Sequence, residues 1–475
     1  MKENDIKKIE PGITRRDFLK TSTSVATGLS LGLGAVSAPA IGKNILGAND
    51  KIRVGFIGTG NRGTQLMKSF MSFNDVEVAG LCDVYEPYIL RDNSKVHKKI
   101  QDEIGGRVPA MDEGLGGNVP IYNDFREMLD QRDIDAVCIS TPDHWHALQT
   151  VMSIDAGKDV FVEKPLSMTI QEGRKMVEVE QKSDRIVQVG IQRRSAPVYR
   201  QLVDTVRGGA IGKVSLARAY RISNMYPDGI GRRPLSDPPA GFDWDMWLGP
   251  RAFRPYQLNI APYKFRWWKD YSSQTANWGV HYVDLIRWLT GERAPVSVSA
   301  HGGKYVLKDD RTIPDTAEVT YEFASGALLV LGVYEANGGS ILPYGEFELR
   351  GAKANLYGLR NGYRIVPTSG GQFQDRGDLV SPVEEDYPQA ANPTDLIVEN
   401  FLDCIKSRNK GDLQCNMEEG HRSTTFALLA NIALETGTRL EWDPEREIIT
   451  NKKFANQFLH YEYRRKWQNE WESIV

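Results

Sequence analysis

The stretch KIRVGFIGTGNRG, residues 51–63, runs from a β-rich apolar segment directly into glycines at 58, 60 and 63. Beyond it, Leu66, Met67, Phe70 and Met71 recur at helical spacing, and VEVAGLCD at 76–83 reads as a second strand. Strand, Gly-x-Gly-x-x-Gly turn, helix and strand make one βαβ unit with a dinucleotide-binding turn in its required context. Gly58 permits the tight turn, Gly60 lets a pyrophosphate approach the backbone, and Gly63 lets helix and strand pack closely. The helix start offers free N–H groups to phosphates. Asp83 closes the second strand, where it accepts hydrogen bonds from both ribose hydroxyls and repels a 2′-phosphate. NAD is therefore expected ahead of NADP, a preference that neighbouring Arg62 softens.

Outward from this unit, IDAVCIS (134–140), KDVFVEKP (158–165) and RIVQVGIQ (185–192) read as further strands, separated by helices over about 145–156 and 169–183. The polar, glycine-rich run 91–118 reads as a surface insertion, and 123–130 as a short helix. After about Arg194, strand-like runs dominate: VSLARAYRI, PVSVSAHGGKYVL, TAEVTYEFASGALLVLGVYEA and YGEFELRGAKANLYG, with helices near 197–207, 274–290 and 393–407. The expected architecture is α/β. A Rossmann doubly wound parallel sheet at 50–192 is followed by an α+β domain at 193–440 with a large open-faced, mostly antiparallel sheet, helices on one face and a partner or solvent on the other. The tail 441–475 is polar and aromatic and has no assigned element.

The chain has 475 residues, 41% hydrophobic and 25% charged, which excludes a disordered or collagen-like protein. A net charge of -3 with no long basic run argues against nucleic acid as a partner. Four cysteines, Cys82, Cys138, Cys404 and Cys415, are too few for a disulfide scaffold.

Residues 14–20 read TRRDFLK, followed by a modestly apolar stretch and Ala38-Pro39-Ala40. This is the pattern of a twin-arginine export signal over 1–40, and it implies the twin-arginine export machinery as a partner and a periplasmic destination. The apolar run is shorter than the ~20 residues of a membrane span and is diluted by glycine, so no permanent span is expected. Cleavage after Ala40 removes six Lys/Arg and four Asp/Glu and takes the net charge to -5. That route carries folded proteins, often with a cofactor inside.

Ligands of such sheets lie beyond the C-terminal strand ends. Two loops there stand out, Ser140-Thr141-Pro142-Asp143-His144-Trp145-His146 and Glu163-Lys164-Pro165. His144 and His146, spaced i and i+2 without a cysteine or carboxylate set, do not make a metal site. Helix capping and packing on one side, and cofactor contact on the other, both stay open for them. Pro165 biases Lys164 to an extended conformation. Beside an oxidised nicotinamide, and partly desolvated, its ammonium loses proton affinity and can exchange a proton with a substrate hydroxyl near neutrality. The bland alternative is a salt bridge to Glu163. In NWGVHYVD, residues 277–284, the spacing places Asn277, His281, Asp284 and Trp288 on one helix face, mixing an amide, an imidazole and a carboxylate.

The order GTGNRG, CD, TPDHWH, EKP, GIQRR, NWGVHYVD resembles the glucose-fructose oxidoreductase / inositol dehydrogenase / rhizopine-catabolism (Gfo/Idh/MocA) family, by motif over about 51–290. The resemblance implies a sugar substrate, with Lys164 against the reacting hydroxyl and His281 as its acid/base partner. It also places Asn61, Arg62, Asp83, the Thr141 to His146 loop with Pro142 and Trp145, Glu163 and Gln192 around the cofactor. Where many relatives carry an aspartate, this chain has Asn277, which cannot take a proton, so His281 or Lys164 must carry the transfer. Six tryptophans, Trp244, Trp247, Trp267, Trp268, Trp278 and Trp288, offer faces for sugar stacking or core packing. Arg193, Arg194, Arg221 and Asn224 are polar candidates for the cleft.

An exported dehydrogenase without a free nucleotide pool must regenerate a tightly held cofactor in place. One closed cycle oxidises a sugar ring hydroxyl and reduces a second sugar. Another oxidises, eliminates a glycosidic group, adds water and reduces again, as in the related NAD-dependent α-N-acetylgalactosaminidases, which also carry an export leader but lack the EKP lysine. A non-catalytic sugar-binding module holding NAD structurally is the third class. An open-faced sheet implies a homo-oligomer by analogy with the family.

Overall fold

A computed structural model describes residues 51–474 except 116, 375 and 388–390. The leader read at 1–40 lies outside the described residues. Six strands, β1 (Ile52–Ile57), β2 (Val76–Cys82), β3 (Ile121–Tyr122), β4 (Ala136–Ile139), β5 (Asp159–Val162) and β6 (Val187–Val189), form a sheet in the order 3-2-1-4-5-6. Every pairing is parallel. All but the two-residue edge strand β3 are largely buried on both faces, which is why they read as continuous apolar runs. Helix α1 (Asn61–Met71) buries Leu66, Met67 and Phe70. Helices α2 (His146–Asp155) and α3 (Ile170–Gln181) complete the crossovers, and α3 starts on a capping box in which Thr169 and Glu172 satisfy each other's backbone N–H groups.

The second sheet has ten strands. They are β7 (Val214–Ile222), β8 (Pro295–Gly303), β9 (Thr316–Phe323), β10 (Leu328–Tyr334), β11 (Phe347–Gly351), β12 (Ala354–Leu359), β13 (Gly362–Pro367), β14 (Val383–Asp386), β15 (Leu440–Asp443) and β16 (Ile448–Ile449), in the order 14-13-12-11-7-10-9-8-15-16. Only β7 and β10 pair in parallel. Helices α4 (Pro197–Arg207), α5 (Val280–Thr290) and, after α6 (Pro393–Ser407), α7 (Met417–Thr436) cover one face and share a core with Ala217, Val319, Leu329 and Leu349. The other face carries polar and aromatic groups, among them the stacked Tyr220–Tyr334 pair and the Arg218–Glu348 ion pair. No helix of the described residues is long and apolar enough to cross a membrane, and all four cysteines are free and buried.

Three features depart from the sequence reading. The run 91–118 is not a mere surface insertion: Val96, Ile100, Ile104 and Met111 are buried in an aromatic cluster with Tyr85, Tyr88, Phe242 and Trp244. Helix α7 went unread because its apolar residues surround the whole circumference, as a helix packed on several sides requires. The tail is not an appendage. It supplies β15 and β16, and in helix α8 (Arg465–Ser473) Trp467 is fully buried against Phe125 and Trp145 of the first domain. Helix α6 likewise packs on that domain, Phe401 meeting Phe70 and Phe161 edge to face. Trp467→Ala should therefore lower unfolding stability by about 3–5 kcal/mol, measurable by urea denaturation; an unchanged midpoint contradicts this packing.

Candidate functional site

The glycine turn is built by close approach. Gly58 has φ +86°, and a Cβ there would lie 2.8 Å from the Thr141 backbone nitrogen. A Cβ at Gly63 would lie 1.9 Å from the Gly58 carbonyl oxygen, so helix and strand can touch only through glycine. Gly60 differs, since a Cβ there would meet only the Tyr88 ring, at 3.6 Å, leaving the space beside the helix start free. Helix α1 has no side-chain cap, so its first N–H groups face the groove. Asp83 holds the turn by accepting from the Thr59 N–H at 2.7 Å, and from those of Val84 and Tyr85. Burial raises its pKa, and the same three N–H bonds pull it back.

Gly58, Gly60, Asn61, Arg62, Asp83, Thr141, Pro142 and Trp145 line this groove, together with an aromatic wall of Tyr85, Tyr88, Phe242 and Trp247 that the sequence reading missed. Free helix N–H groups, the vacant space at Gly60 and an acidic strand end fit an adenine dinucleotide. The Arg62 Nε donates to Glu163 at 2.7 Å and its Nη1 to Gln65 at 3.3 Å.

A second recess of about 480 Å³ continues from the groove, sharing Asn61, Arg62, Thr141 and Arg266 with it. Lys164, Gln192, Arg221, Trp278 and His281 converge here, as does Asn277. The Lys164 ammonium donates to the Asn277 carbonyl at 2.8 Å and to its Oδ1 at 3.1 Å, rather than to Glu163. Burial lowers the lysine pKa to about 8, although Glu163 and Asp143 pull it upward. Burial likewise opposes ionisation of Glu163, yet Arg62 and Lys164 together hold its carboxyl below the usual range. His281 is kept neutral well below the ordinary imidazole value by burial, then by Lys164, Arg193 and Arg62, and its Nδ1 has no partner among the described residues. A turn of π-helix, Thr275–Gly279, precedes α5. Asn277 lies within it and His281 just beyond it, so a uniform helical spacing does not hold between them.

Other sequence candidates lie elsewhere. His144 is packed. Its Nε2 donates to the Trp247 carbonyl at 2.9 Å, and burial pushes its pKa down to about 3. His146 bridges the two loops, facing the carbonyls of Thr141 at 2.9 Å and Pro165 at 2.7 Å, and lines the recess. Asp284 is fully buried and paired with Arg194, with Ser423 donating to it at 2.6 Å, so it is not a substrate contact. Arg193 pairs with Glu346 at 2.5 Å and lies over Tyr282, outside the recess lining. Asn224 accepts from the Tyr226 N–H at 3.0 Å, while Arg221, Ser223 and Met225 face the recess: alternation along an extended chain puts Asn224 on the wrong side. Trp267 and Trp278 line the recess, Trp247 lines the groove, Trp244 and Trp268 are buried, and Trp288 packs on the second domain's core. The sequence reading also missed Arg266 and Glu335, and it placed Asp143 only within the loop around the cofactor. Trp267 donates to Glu335 at 2.8 Å, and the fully buried Arg311 does so at 2.7 Å.

A parallel dinucleotide domain, a mixed-sheet domain and a lysine-histidine recess between them define a two-domain nucleotide-dependent architecture. The chain belongs to the GFO/IDH/MocA family. Its oxidoreductase-family NAD-binding Rossmann fold matches residues 52–191, the GFO/IDH/MocA C-terminal domain 199–357, and the oxidoreductase-family C-terminal alpha/beta domain 364–469. The amino-terminal domain is thus an NAD-binding Rossmann domain. The chain is 30% identical over 227 residues to a glycosyl hydrolase family 109 protein 1 of Shewanella sp. (strain ANA-3), covering 45% of this chain and 47% of that one. The chain spans about half the length of that curated relative. In fold it is similar to a levoglucosan dehydrogenase solved with NADH and levoglucosan (TM-score 0.58, 18% identity, 82% of this chain and 99% of that one). It is also similar to an aldose-aldose oxidoreductase from Caulobacter crescentus (TM-score 0.55, 18% identity, 82% and 99%).

Asp83→Ala should release the Thr59 N–H and reduce the nucleotide recovered from denatured protein by on the order of tenfold, for one lost charge-assisted contact. Wild-type nucleotide content in that variant contradicts the assignment.

Proposed function

We propose that the protein is an NAD-dependent oxidoreductase of a sugar or sugar derivative, acting at a ring hydroxyl with a tightly held cofactor. The observation that carries this reading is the meeting of Lys164, Asn277 and His281 in a recess that opens from the dinucleotide groove. NAD, when bound, supplies a hydride acceptor. Burial brings the proton affinity of Lys164 down toward neutrality, to about 8, so it takes the hydroxyl proton at Nζ. Asn277 aims that nitrogen through two oxygens of one residue. His281, held neutral, orients the same hydroxyl by hydrogen bonding. Trp278 lines the recess beside them and gives the sugar an apolar wall. This division of labour gives to Lys164 the proton transfer that the sequence left open between His281 and Lys164.

The twin-arginine leader supports export of the folded, NAD-loaded protein to the periplasm, and the open sheet face supports a homo-oligomer. The relationship to a glycosyl hydrolase family 109 protein favours a second reading, redox-neutral glycoside cleavage by oxidation, elimination, hydration and re-reduction.

The loss of one proton from Lys164 makes kcat/KM rise with pH through about 8. Asn277→Asp puts a carboxylate beside the ammonium, raises its pKa and moves that limb to more alkaline pH; an unmoved limb rules out Lys164 as the base. Purified protein incubated with aryl glycosides and no added cofactor separates the two reactions. Release of aglycone supports cleavage, whereas exchange between two sugars without aglycone supports the oxidoreductase.

A further inference from the structure

The charges around the recess are unbalanced. Its lining holds five cationic side chains, Arg62, Arg107, Lys164, Arg221 and Arg266, against three carboxylates, Asp143, Glu163 and Glu335. Each carboxylate is already engaged. Glu163 accepts from Arg62, Asp143 from Ser272, and Glu335 from Trp267 and Arg311. Among the described residues, Arg107, Arg221 and Arg266 have no carboxylate within ion-pair distance, and the one hydrogen bond of the Arg266 side chain goes to the Tyr263 carbonyl at 2.7 Å. This positive surplus sits inside a chain whose net charge is -3.

Arg221 is the sharpest case. It is half-buried, its Nε is inaccessible and without a partner, and its guanidinium lies 3.9 Å over the Trp278 ring. Stacking occupies the flat face of a guanidinium and leaves its edge, the fork of N–H donors, free for a planar acceptor. Among the described residues the guanidinium makes no hydrogen bond or ion pair, so its terminal N–H groups are the donors that a ligand in the recess can reach. Arg221 and Trp278 line the recess and not the dinucleotide groove, which separates this anion from the cofactor's phosphates.

We propose that the sugar taken by this recess is acidic, a uronate-type ring whose carboxylate is held at the edge of Arg221, with Arg107 and Arg266 adding to the field and Trp278 beside the ring. The proposal rests on the sugar-oxidoreductase reading for the site but concerns binding rather than turnover.

Calorimetric titration of the full, NAD-loaded protein with sodium galacturonate and glucuronate, against galactose and glucose, tests it. A uronate should bind on the order of tenfold more tightly than its neutral partner, as one charge-assisted contact implies. In Arg221→Gln the acid-to-neutral ratio should fall to about one, and Arg221→Lys should restore part of it. Equal affinity for acid and neutral sugars, no binding of either, or a preference confined to galactose 6-sulfate overturns the proposal. So does a preference that survives Arg221→Gln in a protein with wild-type melting temperature. Because binding alone is read, neutral sugars that reduce bound NAD while uronates bind no better leave the oxidoreductase standing without this specificity. Uronate binding without any turnover has the opposite meaning.

Discussion

A buried ammonium held by the carbonyl and side-chain oxygen of one residue joins the halves of this molecule. Lys164 leaves the end of β5 in the dinucleotide domain, and Asn277 lies in the π-helical turn before α5 in the other. Taking a lysine out of water disfavours its charge, and the nearby carboxylates Glu163 and Asp143 compensate only in part, so its pKa falls to about 8. A solvated lysine would be locked in its protonated form at neutral pH. The proposed base thus also makes one of the contacts between the two domains, at a local widening of the helix of the kind often found at functional sites.

Around that contact, structural charges and reactive groups are kept apart. Asp284, Arg194, Arg287 and Glu419 neutralise one another in a buried network with Ser423, and Arg311 joins Asp309 to Glu335 behind the recess. Removing one partner from such a network leaves an uncompensated buried charge, which makes these residues supports for the fold. In the recess the opposite holds. His281 Nδ1, Gln192 Oε1 and Arg221 Nε are inaccessible and without partners among the described residues. Buried polar groups are normally satisfied, and these three line the recess in which the ligand is proposed to bind.

The glycine turn, Asp83, the two strand-end loops and the pair Lys164 and His281 were all legible in the sequence, because each is a local pattern whose geometry follows from neighbouring residues. Asp284, Arg193 and Asn224 were misread for a common reason. Residue type and spacing suggested exposure to the cleft, but distant partners, Arg194 and Glu346, claimed the two charges, and chain alternation turned the amide away. His144 remained ambiguous until the Trp247 carbonyl was seen to occupy its Nε2.

By itself, then, the sequence determined the parallel dinucleotide fold, the acidic strand end that favours NAD, and the place of Lys164 at a strand end beside the dinucleotide site. These depend on turn sterics and on periodicity, which act over a few residues. Only the tertiary structure decided which polar side chains are spent in ion pairs and which are left free in the recess, that Asn277 rather than Glu163 holds Lys164, and that the tail closes the first domain's core. Those outcomes depend on which segments meet across more than a hundred residues, and solvation and pairing of a charge are properties of that meeting.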